Sequence, residues 1–421
     1  MAKEPLRSIK GTHDILPEES RLWQRVEQTI RETMAIYGYQ EIRTPAFEKT
    51  DLFTRGVGAE TDIVTKEMYS WADQGNTSLT LKPEATAPVI RAYVQHNLGV
   101  KSPLTKLYYI DALFRRERPQ KGRQRQFHQF GVEALGSEYP ELDAEIIALA
   151  YHILEILEVD ELELKLNSIG SSTCREEYRQ ALQDFLRPYL KELSETSQRR
   201  FETNPLRILD TKVPHEIELL RGAPVMESFH TLEDKTHFAE VCSLLSALDI
   251  PYVVEPRLVR GLDYYTRTTF EITSPALGAQ DALCGGGRYD SLVEVLGGKP
   301  TPGIGFAAGM ERILMVIGKN YQTAPVLPLL FVIGLGPKSV ERTLTLVQNL
   351  RKIGIPSVFD PLRRSLKAQL REANKLGADT AIIIGDQELA QDTVQIKDLV
   401  TGIQKQVPYK DAVSFVTALP L

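Results

Sequence analysis

Cysteine is scarce: 421 residues hold three, Cys174, Cys242 and Cys284, far apart and with no CxxC pair. An odd, scattered set excludes a disulfide scaffold, argues against a structural zinc site and suits a reducing cytoplasm. Long apolar runs are missing as well. The longest, Leu327 to Leu335, contains Pro328 and Gly334 and is far too short to cross a bilayer. Met1 to Lys10 is charged and leads into no apolar stretch, so no secretory signal is read there and no membrane association is expected. The usual nucleotide signatures are absent too. Gly336-Pro337-Lys338-Ser339 lacks the preceding glycine of a Walker loop and sets proline before the lysine, and no G-x-G-x-x-G follows a strand pattern. A bound nucleotide would have to be held by arginine on an antiparallel sheet rather than by a phosphate loop.

What is present fits an ordinary globular enzyme of two or three domains, with 42% hydrophobic and 25% charged residues. The net charge of −6 does not suggest a nucleic-acid binder, but it conceals an asymmetry. From Pro325 onward there are 12 Lys and Arg against 9 Asp and Glu, so the tail carries +3 and the first 324 residues −9. A basic tail on an acidic body hints that the tail meets phosphate.

Pro17 to Tyr37 has helical spacing, with Leu22, Val26, Ile30 and Met34 four apart and Gly38 as the stop. A short extended segment, Tyr39 to Thr44, ends at Pro45. Leu104 to Arg115 and Gln126 to Leu135 read as a hairpin with an oversized tip, and Asp143 to Leu157 as an amphipathic helix. Residues 171–250 change character, with long charged helical runs, and are expected to form a helical insertion. Strand patterns resume at Pro251 to Glu255, Thr268 to Ile272, Ala282 to Cys284 and Thr301 to Phe306, followed by a helix from Ala308 to Ile317. The tail alternates strand and helix: strands at Leu329 to Leu335, Pro356 to Phe359 and Thr380 to Ile384, helices at Ser339 to Ile353 and Ser365 to Leu376. That is an α/β module with its own core.

The hairpin tip gathers Arg115, Arg116, Arg118, Lys121, Arg123 and Arg125, with Gly122 closing the turn. Six cations together are costly unless an anion collects them, and guanidinium forks suit phosphate oxygens. On the returning strand Phe127, Gln129, Gly131 and Glu133 share one face; on the outgoing strand Tyr109, Asp111, Leu113 and Arg115 do. One sheet face thus offers an aromatic plate, an amide, bare backbone and two carboxylates, a fit for a purine, a phosphate and an amine. Leu81-Lys82-Pro83-Glu84-Ala85-Thr86 sets a carboxylate and a hydroxyl two apart beside a rigid turn. In Leu258 to Arg267, arginines and tyrosines flank Gly261. Gly285-Gly286-Gly287 suits a place where a ligand lies against backbone, although a triple glycine is more often only a loop. Thr301 to Leu314, TPGIGFAAGMERIL, places Arg312 in the first turns of a helix whose dipole favours anions.

These motifs carry a family resemblance. Phe114-Arg115-Arg116-Glu117-Arg118-Pro119 resembles motif 2 of class II aminoacyl-tRNA synthetases, GIGFAAGMER motif 3, and the Pro17-to-Pro45 segment motif 1. RGLDYYTRTTFE and GGGRYD resemble the two signature peptides of histidyl-tRNA synthetases, and KGTHDILP, LNSIGS and the tail are similar as well. Lys82, Ala85 and Arg116 stand where that family more often has Arg, Gly and His. The resemblance implies an α+β fold: an antiparallel sheet core flanked by helices over residues 1–325, the helical insertion at 171–250, and an α/β anticodon-binding domain at 326–421.

It also implies activation of histidine with ATP, then transfer to the 3′ end of the cognate tRNA. Arg115 would hold the α-phosphate and the histidine carboxylate, and Arg260 would grip the α-phosphate from the other side in place of a metal. Phe127 and Arg312 would sandwich adenine, with Arg123 and Arg312 near the terminal phosphates. Glu84, Thr86 and Gln129 would receive the α-ammonium. Glu133 and Tyr265 would meet the imidazole nitrogens, with Tyr264 and Tyr289 in the same pocket. The outer tip, Arg116, Arg118, Gln120 and Lys121, would touch tRNA, and so would a helical stripe of Arg363, Lys367, Arg371 and Lys375, with Leu366 and Leu370 turned inward. The insertion would press on the acceptor end. Mg2+ is expected only with ATP, no protein-bound zinc is expected, and the chain is expected to be a cytoplasmic homodimer. The alternative is a catalytically idle paralogue serving as the regulatory subunit of ATP phosphoribosyltransferase. That form typically loses the signature arginine and the tail, whereas this chain keeps Arg260 and runs on to Leu421.

Overall fold

Pro17 at the first helical position, with Glu18 and Glu19 in the first turn, starts a helix that runs Pro17–Ile36 in the computed structural model. Val26, Ile30 and Met34 bury its inner face, and Gly38 at φ +77° reverses the chain after it. The described residues are 5–418 except 60, 121, 210, 279–280, 318–320 and 322–328.

The chain forms two compact units, 1–323 and 324–421. In chain order the first contributes β1 (Gln40–Glu41), β2 (Phe47–Lys49), β3 (Tyr69–Ala72), β4 (Ser78–Leu81), β5 (Thr105–Phe114), β6 (Gln126–Leu135), β7 (Glu163–Ser168), β8 (Val253–Val254), β9 (Thr266–Thr273), β10 (Ala282–Arg288) and β11 (Gly303–Gly309). Eight of them make the main sheet in the order β1-β5-β6-β11-β10-β9-β7-β8, while β2-β4-β3 form a small separate sheet. The interior of the main sheet is antiparallel; only the short edge strands β1 and β8 pair in parallel. The β5–β6 hairpin pairs from Thr105↔Leu135 to Phe114↔Gln126, which leaves residues 115–125 as its tip.

The helix expected to be amphipathic runs Pro140–Ile156, with Glu141, Glu145, His152 and Glu155 along its outer stripe and a broad apolar face opposite. It lies between the main sheet and the helix Leu232–Ala247, so Ile146, Ile147, Leu149, Ala150, Ile153 and Leu154 all find apolar partners. Val241 and Leu245 of Leu232–Ala247 belong to this same central core. The charged helices before it, Ser172–Leu186 and Glu195–Thr203, pack a second core around Tyr178, Leu182, Phe201 and Ile208 that also takes in Tyr264, Tyr265 and Tyr289.

The triple glycine corrects an expectation: it is no loop. Gly285, Gly286 and Gly287 lie inside β10, paired on both sides. A Cβ on Gly286 would stand 2.2 Å from the carbonyl oxygen of Gly305, so β10 and β11 pack there only without side chains.

The second unit holds β12 (Leu329–Gly334), β13 (Ser357–Phe359), β14 (Ala378–Ile384), β15 (Thr393–Asp398) and β16 (Gln404–Pro408), ordered β13-β12-β14-β15-β16. Its first three strands are parallel with helical crossovers, and β15 and β16 add an antiparallel ribbon. No helix among the described residues is long and apolar enough to cross a membrane.

Candidate active site

One cavity opens over the β5, β6, β11 and β10 face of the main sheet. Period-two alternation sends Phe127 and Gln129 of β6 into it, while Phe130 and Val132 point to the core behind. Arg115 leaves the end of β5, Arg123 comes from the hairpin tip, Arg312 from the helix Met310–Val316, and Arg260, Tyr264 and Tyr265 from the loop before β9. Glu84, Thr86 and Tyr289 complete the wall. Every residue expected to touch histidine or ATP lines this one cavity except Glu133, which stands just behind the lining.

The cations are held before any anion arrives. Arg115 donates from Nε to the Pro83 carbonyl at 2.8 Å, and its guanidinium lies 5.1 Å from the centre of the Phe127 ring, the side chain expected to meet adenine. Glu117, between two arginines in the sequence, links Arg123 at 3.2 Å and Arg115 at 3.8 Å. Arg312 donates to the carbonyls of Gly122 at 3.2 Å and Ala282 at 2.8 Å, tying the motif 3 helix to the hairpin tip. Arg260 pairs with Glu271 on β9 and rests against bare backbone: a Cβ on Gly285 would stand 2.1 Å from its guanidinium. The glycine at 285 therefore makes room for an arginine, a use that a run of glycines does not reveal.

The inner end of the cavity is acidic, and burial outweighs what Arg115 does for Glu84 there. Glu84 accepts from the backbone N–H groups of Thr86 at 2.9 Å and Ala87 at 3.0 Å, which caps the helix Thr86–Gln95. Burial still pushes its carboxyl up to about 6. Glu133, 1% exposed, accepts from the Tyr289 hydroxyl on Oε2, while Oε1 has no hydrogen-bond partner. Burial pushes it up to about 8, against the pull of the Tyr289 and Thr86 hydroxyls. Gly305 makes space for this carboxyl, since a Cβ there would stand 2.2 Å from Oε2. Burial also raises Tyr109, Tyr264, Tyr265 and Tyr289, so all four stay protonated.

Several expectations need correction. Asp111, counted among the carboxylates of the binding face, does not line the cavity but pairs with the buried Lys82, which also donates to the Thr44 carbonyl at 3.1 Å. The tip residues expected to touch tRNA are not among these corrections: Arg116, Arg118 and Gln120 are exposed there and outside the cavity lining, and Lys121 lies outside the described residues. In the tail, the helix spans Leu366–Lys375, and Arg363 precedes it at φ +54°. The helical stripe therefore comprises Lys367, Arg371 and Lys375, all exposed. Leu370 packs inward, but Leu366 remains 37% exposed in the first turn. Sequence reasoning also missed Glu117 and Glu271, the acids that hold the arginines. A lone Glu amid Arg115, Arg116 and Arg118 was the available signal for the first.

No group of three or more His, Cys, Asp or Glu among the described residues could hold a metal ion. The cavity can neutralise a polyanion by guanidinium, receive an ammonium, and present a carboxyl and hydroxyls to a small polar ring. The family model described as "Histidyl-tRNA synthetase" matches residues 11–313, and that described as "Anticodon binding domain" matches 330–419. A protein named histidine–tRNA ligase from Synechococcus sp. (strain JA-3-3Ab) is 46% identical over 99% of both chains. Another of that name, from Chloroherpeton thalassium, is 50% identical over 96% of each. The crystal structure of apo histidyl-tRNA synthetase from S. aureus superposes with a TM-score of 0.81 at 37% identity, covering 98% of this chain and 99% of that one.

Proposed function

The chain belongs to the histidyl-tRNA synthetase family and is a histidine–tRNA ligase, and from that premise we propose how its cavity divides the work. Histidine's carboxylate oxygen attacks the α-phosphorus of ATP, a new P–O bond forms, and pyrophosphate leaves with the electron pair of the broken bond. Arg115 and Arg260 flank that phosphorus and neutralise the charge that gathers on its oxygens. Arg123 and Arg312 take the outer phosphates, and adenine lies between Phe127 and Arg312. Mg2+ enters with ATP as part of the substrate. Glu84, Thr86 and Gln129 receive the α-ammonium.

A neutral imidazole has one donor and one acceptor, and Glu133 Oε1 with the Tyr265 hydroxyl matches both. Tyr264 and Tyr289 close the pocket around the ring. Apolar isosteres would strand these buried groups and be rejected strongly. The adenylate's carbonyl carbon then takes the 3′-terminal ribose oxygen of the tRNA, and AMP departs. Residues 1–325 form the catalytic body with its helical insertion near 171–250, and 326–421 the anticodon-binding domain. Arg116, Arg118, Gln120 and Lys121 at the tip, and Arg363, Lys367, Arg371 and Lys375 in the tail, follow tRNA phosphates. The protein works as a cytoplasmic homodimer.

One observation carries this reading: Arg115 and Arg260, from unrelated segments, line the same cavity as Glu84 and Gln129. Arg260 and a folded tail count against the regulatory alternative. The test is amino-acid-dependent exchange of pyrophosphate into ATP by the purified protein. Exchange is expected with histidine alone; none above background, or more with another amino acid, would end the assignment.

A further inference from the structure

Pro256 to Tyr265 joins β8 to β9 and carries Arg260, Tyr264 and Tyr265, yet it belongs to no helix or strand. Its backbone polar groups must find partners elsewhere. Two side chains supply them. Asn167 on β7 donates from Nδ2 to the carbonyls of Pro256 at 3.2 Å and Leu258 at 3.0 Å. Arg175, in the first turn of the helix Ser172–Leu186, donates to the carbonyl of Asp263 at 3.2 Å and to that of Tyr265. Its guanidinium fork thus grips the backbone on both sides of Tyr264.

Neighbouring helices add to the grip. Asn204, directly after the helix Glu195–Thr203, donates to the Asp263 carboxylate at 2.6 Å, while the Asp263 N–H donates to the Val57 carbonyl at 3.2 Å. Arg200 and Arg207 reach Asp62 at 3.2 and 3.8 Å. Asp62 begins the helical turn Ile63–Glu67, whose Ile63 lines the cavity and whose Glu67 carbonyl accepts from the Arg116 N–H at 2.6 Å. The helices between residues 172 and 208 therefore hold two walls of the cavity by these polar contacts, in addition to the apolar core they share with Tyr264, Tyr265 and Tyr289.

We propose that this stretch is a clamp on the synthetic site, and that Arg175 is a positioning residue for adenylate formation. It touches backbone and not substrate; its effect passes through Arg260, Tyr264 and Tyr265, so the inference rests on the roles proposed for them. Misplacing such groups by about 1 Å costs on the order of 100-fold in rate.

Arg175→Met keeps the apolar stem and removes both donors. In tRNA-free exchange, kcat/KM for histidine is expected to fall about 100-fold, with KM for histidine raised as well as kcat lowered, and Arg175→Lys to recover part of the loss. A purely structural role would only reduce the amount of folded enzyme, lowering kcat with KM for histidine unchanged; that result overturns the proposal. Should Arg175→Met fail to fold, Asn204→Ala carries the test: it loosens the same loop by one hydrogen bond and is expected to raise KM for histidine about fivefold. A parental KM in Asn204→Ala refutes the clamp. Absence of exchange in the parent protein would take down the proposed division of labour and the clamp with it, whereas parental exchange with unchanged variants takes down the clamp alone.

Discussion

In the body, Arg115, Arg260 and Arg312 are each fixed by carbonyls, a carboxylate or an aromatic face inside one cavity. In the tail, Lys367, Arg371 and Lys375 stand out from one exposed helix face. The two sets of cations have the same sign and opposite physics. A guanidinium taken out of water is tolerable only with partners in place, and those partners also preset its direction. Such a group can stabilise charge that appears only in a transition state, with little reorganisation when it does. Cations in water are screened and act on phosphate as a sum.

If that contrast is right, the largest loss comes from the body. Arg260→Ala should reduce kcat for histidine-dependent exchange by about 10²–10³, the scale for a preset donor aimed at developing charge. Histidine binding, followed by fluorescence or calorimetry, should remain measurable. Equal loss of binding and turnover would mean that Arg260 shapes the pocket rather than the reaction, and the contrast would blur.

Glu133→Gln should act on recognition instead. KM for histidine should rise about tenfold to 100-fold, the cost of spoiling a buried hydrogen-bond partner, with KM for ATP nearly unchanged. A pH signature sharpens the test. Burial holds this carboxyl at about 8 in the folded chain against 4.5 ordinarily, so between those values the native state binds the extra proton. The neutral acid's contribution to stability is complete below about 4.5 and is lost as pH rises through about 8, at up to about 1.4 kcal/mol per pH unit. Glutamine has no proton to lose. The stability of the parent relative to Glu133→Gln, read from denaturation midpoints, should therefore fall between pH 5 and pH 8; a flat difference would place a cation near Glu133 that its surroundings do not contain.

How much of this was legible in the residues depended on whether a signal was local. The β5–β6 hairpin could be read because its alternation and its tip lie within one stretch, and the same alternation sorted Phe127 and Gln129 from Phe130 and Val132. The convergence of Arg115, Arg260 and Arg312 needed the resemblance, since nothing local states that segments so far apart share a cavity. Gly285 misled because a triple glycine serves a loop and a crowded strand equally well; only the guanidinium lying against it decides. Asp111 obeyed the period and still missed the cavity, because Lys82 from another segment took it. Arg363 fitted a four-residue spacing that continued past the true helix start at Leu366. The clamp residues Arg175 and Asn204 gave no signal, since a side chain that holds a distant carbonyl leaves no pattern in its own neighbourhood.

The smallest effect belongs to the tail, and it should look different in kind. Replacing Lys367, Arg371 and Lys375 together with alanine removes three exposed charges and little packing, so the fold and tRNA-free exchange should be unaffected. Aminoacylation should show a KM for tRNA raised about tenfold near physiological salt, with kcat close to parental. Each cation that follows a phosphate releases counterion, so the plot of log affinity against log salt should become shallower by roughly two to three. Arg363→Ala, off the stripe in the preceding turn, should move the slope by less than any one of the three. A triple variant with parental tRNA affinity and parental salt slope would turn these cations into a solvated surface. A variant that lost exchange as well would show that the exposed set is not independent of the buried one, and the contrast between body and tail would fail at its root.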